Sequence, residues 1–182
     1  MKSASCNFWA VNGLKIHLIP FFMAVFIFLS GCGYQLGEIR PTPMRSVKTL
    51  AVSTFKNRTF KPRVEVLAAN ALIKRLQQDG TFKIVDDVSA DALLECTINN
   101  IERRAVRSSV TDVLISTEFE IRVMASYTVT DRVSGRTLMQ GNKLGTTTFF
   151  STPDIVAGEL QALPAAFADL AVEIATEISE GW

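Results

Sequence analysis

The chain has 182 residues, 48% hydrophobic and 20% charged, a globular composition sized for one domain and too poor in charge for a disordered or polyanion-binding tail. Lys2 and Lys15 precede an apolar run, so the part from Cys32 onward carries 17 cations against 18 acids, and no nucleic-acid partner is expected of that balance. The single histidine, His17, lies in the leading segment; once that segment is removed, no imidazole remains for a nucleophile pair or a zinc site. With no GxSxG, Walker A or GxGxxG element either, the expectation is a non-enzyme without cofactor or metal.

Residues 1–31 read as a signal peptide. Met1 to Lys15 holds two lysines and no acid, Leu18 to Leu29 is an apolar core, and Leu29-Ser30-Gly31-Cys32 closes it with small residues. A membrane-spanning helix would need about 20 predominantly apolar residues, and this core is shorter and interrupted by Pro20. The Leu-Ser-Gly-Cys tetrapeptide resembles a bacterial lipobox, in which Cys32 becomes the first mature residue and carries fatty-acyl chains such as palmitate. Each buried CH₂ is worth about 0.8 kcal/mol, so several chains on one residue anchor durably. Gly33 stands where an aspartate would signal inner-membrane retention, so the expected address is the outer membrane, lipid-anchored and facing the periplasm. Cys6 leaves with the signal and Cys32 takes lipid, which leaves Cys96 without a disulfide partner. In the alternation Leu94, Cys96, Ile98 it is expected to be a buried thiol.

Residues 32–46, with Pro41 and Pro43, read as a lipidated tether, and residues 47–182 as a single domain. Val47 to Phe55 is a β-rich run, broken by Asn57 to Pro62. From Pro62 at the helix start, Val66, Ala69, Ile73 and Leu76 recur at helical steps until Asp79-Gly80. Thr81 to Val85 is a short strand. Ala92 to Arg104 is a long one, with Leu94, Cys96 and Ile98 alternating before Asn99-Asn100 shifts the phase to Ile101, as a bulge would. In Leu114 to Thr130, Phe119, Ile121, Val123, Ala125, Tyr127 and Val129 face one way while Glu118, Glu120, Arg122, Ser126 and Thr128 face the other. Ser134-Gly135 turns the chain into a last strand, Arg136 to Thr148.

Thr152-Pro153-Asp154 opens a final helix, whose stripe is Val156, Leu160, Leu163, Phe167, Leu170, Ile174 and Ile178; Pro164 is expected to kink or split it. The element order β-α-β-β-β-β-α predicts an α+β fold, two helices packed on one face of a mixed four- to five-stranded sheet.

Cys32-Gly33-Tyr34-Gln35-Leu36, then Val47-Lys48-Thr49-Leu50-Ala51-Val52 leading to Phe55-Lys56-Asn57-Arg58-Thr59, and later Ala90-Asp91-Ala92-Leu93-Leu94-Glu95, together resemble the LptE family of lipopolysaccharide-assembly lipoproteins. The middle motif also resembles TolB-like, curli-secretion and peptidoglycan-synthase-activator lipoproteins, so a regulator of a cell-wall synthase is the alternative reading. The resemblance implies a lipoprotein that sits in the lumen of the LptD β-barrel, helps it fold and aids delivery of lipopolysaccharide to the outer leaflet. Its partners would be an LptD-like barrel, lipopolysaccharide, and membrane lipid through acylated Cys32. Size agrees: a domain of about 150 residues is roughly 38 Å across, while a 16-strand barrel is roughly 32 Å and a 26-strand one roughly 52 Å.

Charge layout supplies the remaining candidates. Arg40 to Arg63 holds seven cations and no acid, and Ser151 to Trp182 six acids and no cation, a two-ended pattern. Arg103, Arg104 and Arg107 cluster near the tip between the first two long strands. Guanidinium forks suit phosphate, which makes these three the candidate contacts for lipid A phosphate or for barrel carboxylates, against the plainer alternative of a solvated strand tip. Phe149-Phe150 is expected to close the core rather than touch lipid. Asp86, Asp87 and Asp91 form only a loose likeness of a cation loop, and Trp182 has no defined role.

Overall fold

Period-two alternation over residues 119–129 places one strand at the middle of a sheet with a buried and an open face. A computed structural model describes residues 40–108, 116–150 and 154–181; the expected signal segment, Cys32, residues 109–115, Thr152-Pro153 and Trp182 lie outside the described residues. The elements are β1 (Thr49–Val52), β2 (Lys56–Asn57), α1 (Val64–Asp79), β3 (Lys83–Ile84), β4 (Ala92–Ser108), β5 (Ser116–Asp131), β6 (Thr137–Phe150) and α2 (Ile155–Glu180). Strand order is β3-β1-β4-β5-β6, with β2 paired to β4. β1 runs parallel to β3 and β4, and β4, β5 and β6 form an antiparallel meander. The predicted α+β class holds, with six strands rather than four or five because the segment expected to break the chain contributes β2.

The alternation in β5 is as predicted: Ile121, Val123, Ala125, Tyr127 and Val129 are buried under the helices. In β4 the same face takes Ala92, Leu94, Cys96 and Ile98. The pairing then jumps from Ile98↔Ala125 to Asn100↔Met124, so Asn99 is the extra residue of a bulge where the sequence predicted one.

The helix phases differ from expectation. α1 buries Val64, Ala68, Leu72 and Leu76, while Val66 is exposed and Ala69 and Ile73 are half-buried. The run Val-Glu-Val-Leu-Ala-Ala-Asn-Ala-Leu-Ile is apolar nearly all round, so spacing alone did not select the face. Pro62 lies in a turn before the helix, whose N-cap is Arg63 in the left-handed region at φ 64°. In α2 the buried row runs through Leu163, Phe167, Leu170, Ile174 and Ile178 as predicted, but Val156 and Leu160 face outward. Pro164 does not split the helix. Within the segment read as a tether, Thr42–Met44 forms a 3-10 turn with Met44 fully buried.

Two contacts hold the layers in register. A Cβ on Gly145 of β6 would lie 2.4 Å from the Ala166 carbonyl oxygen and 2.6 Å from the Leu170 nitrogen of α2, so only glycine permits this close approach. At the other side of the sheet, Asp91 accepts from the backbone N–H of Thr49 at 2.8 Å and of Lys48 at 3.0 Å, pinning β1 to the start of β4. The Thr49 and Lys48 backbone donors hold the Asp91 carboxyl below its ordinary 3.8.

Gly145→Ala is expected to destabilise the domain by about 1–3 kcal/mol, because the obstructing atoms are helix backbone; a thermal melt unchanged within error would contradict the close approach. Asp91 binds its stabilising donors as the anion, so that stabilisation is present above 3.8 and lost as pH falls through the lower folded value. Asp91→Asn should cost about 1 kcal/mol at neutral pH, and the gap between variant and parent melting temperatures should narrow on acidification.

Candidate functional site

Where each arginine of the predicted cluster points is decided by a second register shift, at Val106, together with the bulge at Asn99. After it, Ile101, Arg103 and Ala105 pair with Val123, Ile121 and Phe119 on the helix side, whereas Arg104 pairs with Glu120 and Arg107 with Glu118 on the open side. The three residues therefore do not form one patch. Arg103, whose side chain is 38% exposed, is engaged at the tip: its Nη1 lies 2.8 Å from Glu159 Oε2 of α2, and its guanidinium stacks 5.5 Å from the Phe119 ring centroid. Phe119 in turn stacks on Phe149, centroids 5.6 Å apart, so Phe149 closes the core as predicted while Phe150 is 68% exposed.

Glu159 is a residue that sequence reasoning missed. It is 7% exposed and binds Lys61 as well as Arg103. The Phe-Lys-Asn-Arg-Thr motif explains how Lys61 arrives there. Asn57 Oδ1 accepts from Thr59 N and Thr59 Oγ1 at 2.9 and 2.8 Å, and Asn57 Nδ2 donates to the Lys61 carbonyl at 2.8 Å, an Asx-type turn that links β2 to α1. This motif is thus a structural device that ties the chain before α1 to the first turns of α2.

Arg104 and Arg107 remain directed to the open face at the strand tip. Arg107 Nε lies 3.7 Å from Glu118, with its side chain 73% exposed. The same end of the domain carries the exposed apolar side chains Val106, Phe150, Val156 and Leu160, together with Phe60 beside Lys61. Cations and apolar groups therefore share the tip, a combination suited to an amphiphile with phosphate near its acyl chains.

At the opposite end, Arg40 donates from Nη1 to the Val47 carbonyl at 2.9 Å and from Nη2 to the Thr81 carbonyl at 2.8 Å, and lies 5.2 Å over the Phe82 ring. Pro41 sits against Gly181, just past the end of α2. The chain thus joins the domain at the C-terminal end of α2, and a helix of 26 residues, about 39 Å long at 1.5 Å per residue, separates that point from the tip.

Among the described residues one ion pair, Lys61 with Glu159, joins the two charged segments; Glu159 also meets Arg103, and Glu173 and Glu177 meet Lys143. Asp87 pairs with Arg132 at 3.3 Å and Asp91 is spent on backbone, and among the described residues no group of three or more His, Cys, Asp or Glu stands together. Cys96 is 1% exposed, its thiol pushed up to about 12 by burial and then by Glu95, so it is inert. α2 is long and apolar enough to cross a membrane, with mean hydropathy 1.4. In this fold, that composition reflects a helix apolar on two sides, one against the sheet and one outward through Val156, Leu160, Pro164, Ala168 and Val172.

The LptE lipopolysaccharide-assembly family matches residues 47–180. Among solved structures, a Xanthomonas campestris protein is similar at 10% identity and TM-score 0.51, over 74% of this chain and 85% of that one. Lipoprotein B of Nitrosomonas europaea is similar at 15% identity and TM-score 0.49, over 81% and 90%. The rare lipoprotein B of Shewanella oneidensis is similar at 15% identity and TM-score 0.43, over 72% and 90%. No curated protein matches the sequence. With the family match spanning β1 to the last turn of α2, the chain belongs to the LptE lipopolysaccharide-assembly family.

Proposed function

We propose that this chain is a non-enzymatic subunit of the lipopolysaccharide translocon, acylated at Cys32, that fills the lumen of an LptD-like β-barrel and aids delivery of lipopolysaccharide to the outer leaflet. The family match over residues 47–180 carries this reading. Dimensions support it: residues 32–39 reach at most about 28 Å when fully extended, which keeps the Arg40 end near the periplasmic leaflet. α2, about 39 Å long, then exceeds the roughly 25 Å apolar band of an outer-membrane barrel. A domain standing in the lumen on its Arg40 end therefore brings Arg104, Arg107 and Phe150 to the level of the outer leaflet.

In that position Arg104 and Arg107 offer fork-shaped donors to lipid A phosphate, while Phe150 and Val106 accept acyl chains. Arg103 holds the tip together through Glu159 and does not bind ligand in this scheme. Mass spectrometry of the tagged full-length protein, taken from membranes in mild detergent, should find an acylated Cys32 and a stoichiometric large β-barrel; recovery of a cell-wall synthase in its place would overturn the reading. Arg104→Gln with Arg107→Gln should leave the barrel bound and weaken lipopolysaccharide binding at least tenfold, about 1.4 kcal/mol, with little change in melting temperature because the Arg107–Glu118 pair is exposed.

A further inference from the structure

The groove between α1 and α2, on the side of the helix layer away from the sheet, is not absorbed by the translocon reading. It encloses about 430 Å³, within the range of small-molecule sites. Its α1 wall is Leu67, Ala71 and Arg75, and its α2 wall Pro164, Ala168 and Val172, each row stepping by four residues and so lying along one helix face. Leu67 and Val172 are exposed, and the alanines leave room between the rows.

Both cations lie at one end, and Asn70 adds an uncharged polar group part-way along the α1 wall. Lys74, Arg75 and Gln78 border the groove in the last turns of α1, toward Gly80 to Phe82, where Arg40 joins the domain. Among the described residues neither Lys74 nor Arg75 is ion-paired, and the buried Nε of Arg75 has no hydrogen-bond partner. No acid lines the groove. An apolar channel with unpaired cations at one end is complementary to a molecule with an acyl chain and an anionic head.

We propose that the α1–α2 groove binds one anionic glycerophospholipid, an acyl chain lying along Leu67, Ala71, Pro164, Ala168 and Val172 and the phosphate held by Lys74 and Arg75. The site is separate from the strand tip, so it stands whether or not a barrel surrounds the domain. The cations lie at the end where the chain joins the domain, so a lipid drawn from the anchoring leaflet would reach them head first.

The test uses the full acylated chain in phosphatidylcholine nanodiscs doped with phosphatidylglycerol bearing a photoreactive acyl chain. Label is expected on α1 and α2 peptides that line the groove. It should fall about tenfold in Lys74→Glu and in Ala168→Trp, both exposed positions whose melting temperatures are checked in parallel, and about tenfold when the photoreactive lipid is phosphatidylcholine. Equal labelling by the two lipids, insensitivity to both substitutions, or label concentrated on the β4–β6 tip would overturn the proposal. So would displacement of the probe by lipopolysaccharide at lower concentration than by unlabelled phosphatidylglycerol, or cross-linking of two copies through the groove.

Discussion

One extra residue in β4 governs the layout of this domain. A strand's side chains alternate with period two, so inserting Asn99 sends the residues from Asn100 to Ala105 to the opposite face. Without the bulge Arg104 would lie under α2 and Arg103 would face outward. With it, Arg103 meets Glu159 across the layers and stacks on Phe119 while Arg104 takes the open face, and a second shift at Val106 brings Arg107 to that face as well. The same slip keeps Ile101 beside Val123, so the apolar face continues beyond the Ile98 at which β4 would otherwise have turned polar.

Glu159 shows why part of this was hidden in the sequence. The buried row of α2 runs Glu159, Leu163, Ala166, Phe167, Leu170, but a search for apolar spacing passes over a carboxylate and takes Leu160 instead. That substitution of neighbours placed Val156 and Leu160 in the core, when they are outward-facing. The charge is tolerable at that depth because Lys61 and Arg103 meet it from two other elements, and neither partner is near Glu159 in sequence. α1 was misphased for a different reason: its apolar residues nearly encircle it, and only the position of the sheet selects Val64, Ala68, Leu72 and Leu76.

By contrast, β5 was legible to the residue, because a half-buried antiparallel strand writes its environment as strict alternation. The bulge was legible too, as a break in that alternation at Asn99-Asn100. What could not be read was convergence between distant segments. The Phe-Lys-Asn-Arg-Thr motif stood out by resemblance, yet its physical role, an Asn57-built turn that delivers Lys61 to α2, needs the fold. Likewise the outward row Val156, Leu160, Pro164, Ala168, Val172 is visible in sequence only as an excess of apolar residues, and becomes a surface once the opposite side of the helix is seen to be filled.

A fold of this kind hosts many roles, so function rests on the family match and on the polarity of the domain, with its point of attachment at Arg40 and its mixed cationic and apolar tip at the far end of α2. The most direct measurement replaces Phe150, exposed at that tip, with a photoreactive phenylalanine analogue and irradiates living cells. Seating in a translocon lumen predicts a cross-link to a large outer-membrane β-barrel. Cross-linking to a soluble or inner-membrane synthase, with no barrel adduct from this position, would contradict it.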